Sequence, residues 1–207
     1  MKPLIVPSII AQTQEDMQKK IMSVSFAPRI QIDVMDGVFV KEKSLWFPLQ
    51  LPKIDGQYEA HLMVRKPASW IEQYGKGVHR VIVHAELPDA LTILKKIRQL
   101  RKKAGIALNP GTSAASVVRF IDWIDQVTVM AVIPGRYGAP FISGVLEKIQ
   151  DLKRLYPKLA IEIDGGMNPE HIRMAKAAGA SVFISGSYLM NAKNPRLAIA
   201  ELARAAR

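Results

Sequence analysis

The chain has 207 residues, 49% of them hydrophobic, and carries 29 Lys and Arg against 18 Asp and Glu, a formal net charge of +11. That length and balance fit one compact core in a soluble globular protein, with two small domains as the alternative that length alone leaves open. The sequence has no cysteine, which excludes disulfides and thiolate metal sites and points to a reducing cytoplasm; no apolar run approaches the ~20 residues that span a bilayer.

Eight apolar, β-rich runs are expected as strands, at residues 3–6, 30–34, 58–63, 78–83, 105–108, 126–132, 159–163 and 181–185. Helix-periodic stretches lie between most of them, at 14–25, 67–75, 88–103, 113–122, 142–155, 169–178 and 195–206. Pro67, Pro88, Pro169 and Pro195 sit near first turns, where a missing N–H is tolerated. Gly105 and Gly179 fall where helices should stop and strands begin. This alternation, unbroken by any linker, predicts a single (β/α)8 TIM barrel over residues 1–207, with short connections. Residues 38–57 contain Pro48, Pro52 and Gly56 and no helical period. They predict a loop with at most a short helix, whose Trp46 and Phe47 plug one side of the barrel or form a lid.

The densest basic run is Lys95, Lys96, Arg98, Arg101, Lys102 and Lys103. Leu91, Leu94, Ile97 and Leu100 recur through the same stretch at helical spacing, which puts the charges on a solvated face. No nucleic-acid motif accompanies them, so a nucleic-acid partner is not expected. A positive field would still favour a phosphorylated metabolite.

Two aspartates carry the functional argument. Asp33, in Ile32-Asp33-Val34-Met35-Asp36-Gly37, and Asp164, in Ile163-Asp164-Gly165-Gly166, both end apolar runs just before a glycine turn. In a parallel barrel that rim is where chemistry is placed. Two carboxylates converging there could flank one substrate carbon and move a proton from one face to the other. The bland reading of each is a turn or capping Asp.

Eight motifs occur in one register: Pro7-Ser8-Ile9, Asp33-Val34-Met35-Asp36-Gly37, His61-Leu62-Met63, Val83-His84-Ala85-Glu86, Ala107-Leu108-Asn109-Pro110-Gly111-Thr112, Pro134-Gly135, Asp164-Gly165-Gly166 and Gly186-Ser187. In that order and spacing, nearly end to end, the chain resembles the ribulose-phosphate 3-epimerases. The resemblance implies the phosphate-binding (β/α)8 barrel and epimerisation at C3 of D-ribulose 5-phosphate to D-xylulose 5-phosphate. It implies Asp33 and Asp164 as the acid and base.

It also implies a divalent metal (zinc, iron, manganese or magnesium) held by two His and two Asp. Asp33, His61 and Asp164 match three of these positions, and Gln31 stands where the family has His. An amide is a poorer ligand than imidazole for zinc or iron, so the metal is expected to be weakly held or absent, with an oxygen-rich set leaning to manganese or magnesium. Outside the register, His61 alone would read as a satisfied core histidine. The resemblance further makes His61 and Ser8 substrate-facing, and Met35, Met63 and Met130 a soft floor under the sugar; their bland roles are capping for Ser8 and core filling for the methionines. Gly165, Gly166, Gly186 and Ser187 are implied to hold phosphate through backbone amides.

The departures gather at the mouth. Where the family reads Asn-Pro-Gly-Phe-Gly-Gly-Gln, this chain has Ile133-Pro134-Gly135-Arg136-Tyr137-Gly138-Ala139. Gly138 is kept as a phosphate contact, and Arg136 either adds a charged one or faces solvent. After Gly37, Val38-Phe39-Val40-Lys41-Glu42 replaces His-Phe-Val-Pro-Asn. Two alternatives follow: a related ketose-phosphate enzyme on the same barrel, or a non-catalytic sugar-phosphate binder. The decarboxylase branch carries Asp-x-Lys-x-x-Asp, and Gln31-Ile32-Asp33-Val34-Met35-Asp36 has no Lys. The resemblance also implies a homo-oligomer.

Overall fold

A computed structural model describes residues 2–135 and 138–207. Nine strands are present among them: β1 (Leu4–Ile9), β2 (Arg29–Asp36), β3 (Lys43–Ser44), β4 (Gln57–Met63), β5 (Arg80–His84), β6 (Lys103–Leu108), β7 (Gln126–Met130), β8 (Ala160–Asp164) and β9 (Val182–Ser185). All but β3 are parallel, in the order β1-β9-β8-β7-β6-β5-β4-β2, and β2 pairs back onto β1 through Ser8↔Gln31 and Ile9↔Ile32. The sheet therefore closes into an eight-stranded barrel. Helices α1 (Gln14–Ser23), α2 (Pro67–Tyr74), α3 (Ala90–Gln99), α4 (Val145–Leu155) and α5 (Pro169–Ala178) connect strands, and α6 (Ser187–Met190) and α7 (Pro195–Ala205) follow β9. No helix among the described residues is long and apolar enough to cross a membrane.

Strand alternation sorts the side chains. In β2, Ile30, Ile32 and Val34 point outward into the main apolar shell beneath the helices, so Arg29, Gln31, Asp33 and Met35 point into the barrel. Burying each such aliphatic side chain contributes roughly 1.5–3 kcal/mol, and this shell is what closes the barrel. The barrel interior keeps only small apolar clusters, Val6 with Val182 and Ile184, and Ile82 with Ala107 and Met130. Met35 and Met63 add apolar side chains near the carboxyl end, and the rest of the interior is largely polar, which is where the site lies.

Helix starts follow the local chemistry. Thr13, Asn168 and Asn194 cap α1, α5 and α7 through side-chain oxygens, and Pro67, Pro169 and Pro195 open their helices. Gly179 ends α5 at φ 115°, a left-handed conformation that glycine adopts without penalty.

Several expectations are corrected. Residues 113–122 form 3₁₀ turns, at Ala114–Arg119 and Ile121–Trp123, rather than an α-helix. Ala114, Val117, Phe120 and Trp123 recur every three residues, so one face is matched to a three-residue turn, closed by Phe120 N–H to Val117 O at 2.8 Å. Leu100 does not belong to the apolar face of α3, because the helix ends at Gln99 and Arg101 takes the left-handed position at φ 57°. Leu100 is left 48% exposed, while Ile93 joins Leu94 and Ile97 inside.

Gly105 is no helix stop. It lies inside β6, where a Cβ would come within 2.9 Å of the Ile82 side chain and 3.2 Å of Gln126. The 38–57 segment has no helix, as expected, but its plug is Leu45, buried with its N–H on Ala11 O at 2.8 Å. Trp46 is 46% exposed, and Phe47 only flanks the core. Leu45 follows the short β3 strand, which pairs Met35↔Ser44 and Asp36↔Lys43, and takes a left-handed bend at φ 52° there. The basic run on α3 is satisfied at the surface by Glu72 on Lys96 and Asp125 on Arg98 and Lys103.

Candidate active site

The site sits inside the carboxyl end of the barrel. Strand register sets Asp33 beside His61 and Met35 beside Met63, and across the barrel Met130 beside Asp164. Ligand atoms of Asp33, His61 and Asp164 all lie within 4.8 Å of one another. The Gln31 side chain, two residues below Asp33 on the same face, donates from Nε2 to Asp33 Oδ1 at 2.7 Å and to Asp164 Oδ2 at 2.8 Å. One amide thus braces both carboxylates.

The electrostatics follow from that crowding. Burial raises Asp33 above the usual carboxylate range, against the pull of His61, and the nearby Asp164 charge adds to the rise. The Nδ1 of His61 stands 3.3 Å from Asp164 Oδ2 and 3.5 Å from Asp33 Oδ1. Burial alone would strip its proton; the two carboxylates reverse this and lift the imidazole to about 10. Behind it, His61 Nε2 meets His84 Nε2 at 2.9 Å. Burial, then the His61 charge among further causes, pushes His84 down to about 4. Glu86, 3.2 Å from His84 Nδ1, is held at about 2: burial would raise it, but bonds from His84, the Thr112 hydroxyl and the Asn109 N–H outweigh that.

The cleft above the acids is lined by Ser8, Met35, Met63, Met130, Gly138, Gly165, Gly166, Gly186 and Ser187, together with Asp33 and Asp164. Every substrate-facing residue expected from sequence therefore borders one cavity, except His61, which lies just beneath the acids. Ser8 is inside β1, and α1 is capped by Thr13 instead. Gly165 and Gly166 have φ of 113° and 67°, and a Cβ on Gly165 would meet the Val132 side chain at 2.5 Å. Only glycine fits that turn. Arg136 and Tyr137 lie outside the described residues.

Sequence reading gave His84 and Glu86 no role. A signal for them existed: two polar residues two apart at a strand end, in an otherwise apolar run, point to one side. Asp36 was likewise quoted without a role. Its Oδ1 accepts the Val38 and Phe39 N–H groups at 2.8 Å each and its Oδ2 the Arg65 N–H at 2.7 Å, so it fastens the loops after β2 and β4.

Three ligand-type residues fit a divalent cation. The buried Nδ1 of His61 and Oε1 of Gln31 have no hydrogen-bond partner, and both belong to the acidic cluster. Gln31 competes with such an ion, because its NH2 already occupies both carboxylates.

A closed parallel barrel with acids and an imidazole inside its carboxyl end, under glycine turns, has the architecture of a TIM-barrel enzyme. A model of the ribulose-phosphate 3 epimerase family matches residues 4–190. The chain is 34% identical over 213 residues to the ribulose-phosphate 3-epimerase of Mycobacterium bovis, covering 99% of this chain and 93% of that protein. It is also 34% identical over 211 residues to that of Bacillus subtilis, covering 96% and 97%. Among solved structures, 3-keto-L-gulonate-6-phosphate decarboxylase from Vibrio cholerae superposes with a TM-score of 0.74 at 16% identity, covering 100% and 98% of the two chains. A 3-hexulose-6-phosphate synthase does so with 0.71 at 15%, covering 99% and 100%. These structural likenesses concern the fold. The chain belongs to the ribulose-phosphate 3-epimerase family, and with it to the isomerase class of enzymes.

Proposed function

We propose that this protein interconverts D-ribulose 5-phosphate and D-xylulose 5-phosphate by proton transfer at C3, with Asp33 and Asp164 as the two proton carriers. The observation that carries the reading is the meeting of these carboxyls, from β2 and β8, on one cleft under a shared amide. The C3 hydrogen is acidic because the C2 ketone can take up the charge as an enediolate. One carboxylate removes it, and the other, as the acid, returns a proton on the opposite face; substrate direction decides which acts first. The raised Asp33 suits a group that must hold a proton for half of each cycle. Gln31 keeps both carboxyls aimed at the cleft, and His61 brings positive charge close to the developing oxyanion.

A divalent cation, when bound by Asp33, His61 and Asp164, would neutralise the enediolate oxygens. Because binding must displace the two Gln31 hydrogen bonds, retention is weak. Met35, Met63 and Met130 give the sugar an apolar floor that keeps water from the carbanion. Gly165, Gly166, Gly186 and Ser187 offer backbone groups to the phosphate.

The test is incubation with ribulose 5-phosphate in deuterated water. Deuterium at C3 is expected even where net turnover is slow. Phosphate-dependent thermal stabilisation without exchange would instead establish a sugar-phosphate binder. A related ketose phosphate as substrate is favoured by one observation: Val38 and Ile133, at the altered mouth, are 72% and 67% exposed and offer apolar contact to a different sugar end.

A further inference from the structure

We propose that His84 and Glu86 form a positioning relay that holds a proton on Nε2 of His61 and so keeps its Nδ1, which faces Asp33 and Asp164, available to the site. The relay serves the site invoked for the epimerase reading, but it stands on hydrogen-bond logic alone. Both imidazoles are fully buried, and their Nε2 atoms lie 2.9 Å apart. That gap holds one proton, so one ring must donate and the other accept.

Glu86 decides which. Its Oε1 accepts from the Asn109 N–H at 3.0 Å and from the Thr112 hydroxyl, and its Oε2 faces His84 Nδ1 at 3.2 Å. A carboxylate only accepts, so His84 carries its proton on Nδ1 and presents a lone pair at Nε2. His61 must then be the donor, with its proton on Nε2. Its Nδ1 is left as the nitrogen that faces the two aspartates, where it can hold a further proton or lend its lone pair to a cation. The ring of Phe39, with its centroid 4.7 Å from that of His84, packs against the relay.

When His61 is neutral, as it must be to lend Nδ1 to a cation, loss of the Glu86 anchor leaves His84 free to carry its proton on Nε2. The His61 Nε2 would then have to accept, which moves the His61 proton to Nδ1 and blocks that atom as a ligand. His84 and Glu86 are therefore positioning residues, acting through His61 without touching substrate.

Ring-nitrogen NMR of the full-length protein tests this without any turnover assay, so a failed epimerase reading would leave the result intact. The chain has four histidines, few enough to assign through single replacements. His84 is expected to be neutral with a protonated Nδ1 and a bare Nε2. A His84 protonated at Nε2 in the unmodified protein overturns the proposal. In Glu86→Leu, zinc titrated calorimetrically should bind about 10–100-fold more weakly. Unchanged zinc affinity in the folded variant also overturns it. Should Glu86→Leu not fold, or the protein take up no zinc, the tautomer of the unmodified protein decides.

Discussion

The barrel encloses two acidic layers, one below the other, with Glu162 two residues before Asp164 on β8 and Glu59 on β4 level with Gln31 of β2, and they are treated in opposite ways. On the floor, Glu59 of β4 and Glu162 of β8 are fully buried. Arg29 Nη1 donates to Glu59 Oε2 at 3.3 Å, and Arg80 Nε stands 3.3 Å from the same oxygen. Gln126 Nε2 joins the two acids at 3.2 and 3.1 Å, and the Thr128 hydroxyl adds 2.7 Å to Glu162. Burial, then the Glu59 charge, drives Glu162 well above the usual range. At the mouth, Asp33 and Asp164 have an amide and an imidazole in place of arginine, and they open on the cleft. The floor balances its charge inside the protein. The mouth leaves that balance to a proton or a ligand, and this is the physical mark of a place for chemistry.

The sharpest way to break the comparison is at the mouth. Asp33→Asn and Asp164→Asn should each lower C3 exchange by at least ~10²–10⁴-fold in a folded protein, checked by deuterium incorporation alongside circular dichroism. Normal exchange in either variant would remove it as a proton carrier.

The floor should respond in stability. Glu59→Leu strands two half-buried arginines and is expected to cost about 3 kcal/mol in denaturant titration. A variant as stable as the parent would mean that the floor ion pairs do not hold the barrel. Gly186→Val puts a branched side chain where backbone should approach phosphate. KM for the sugar phosphate should rise by roughly tenfold or more, reflecting lost charge-assisted backbone contacts, with kcat less affected; unchanged KM would place the anion elsewhere.

Gln31→His should make the mouth resemble the floor by fixing positive charge there. Metal analysis should then show more cation retained per chain, and C3 exchange should increase. One tightly held zinc per unmodified chain would show that the amide is no obstacle.

The smallest effect concerns Glu86. Its folded-state value of about 2 lies below its ordinary 4.5. Its stabilisation is therefore full above pH 4.5 and lost as pH falls toward 2. Acid denaturation curves of Glu86→Leu should be shallower than the parent's across that window.

The strands were the most legible part of the sequence, because a β run buried on both faces reads as continuous apolar residues interrupted only where chemistry points inward. Asp33 and Asp164 stood out for that reason, and the glycines after them because a positive-φ turn admits little else. The connection at 113–122 was misread because a three-residue period over ten residues mimics a helical one. Leu45 was invisible beside the bulkier Trp46, since the left-handed bend at Leu45 and its bond to Ala11 O are tertiary events. The floor network escaped notice for the same reason: Arg29, Glu59, Gln126 and Glu162 are scattered along the chain, and only register unites them.

The seam of the barrel has a consequence for how the molecule is made. Strand β1 is held on one side by β9, with Leu4 opposite Val182, and on the other by β2 through only two residue pairs. The first of these links closes a loop of nearly the whole described chain. Such distant closure adds loop entropy to the barrier and places annealing of β1 late on the folding route. Until then β9 has a bare edge and β2 one covered only at Met35 and Asp36 by β3, an invitation to pair with another copy. Helix α7, packed over β1, is the latch on that seam, and its loss would favour aggregation over unfolding.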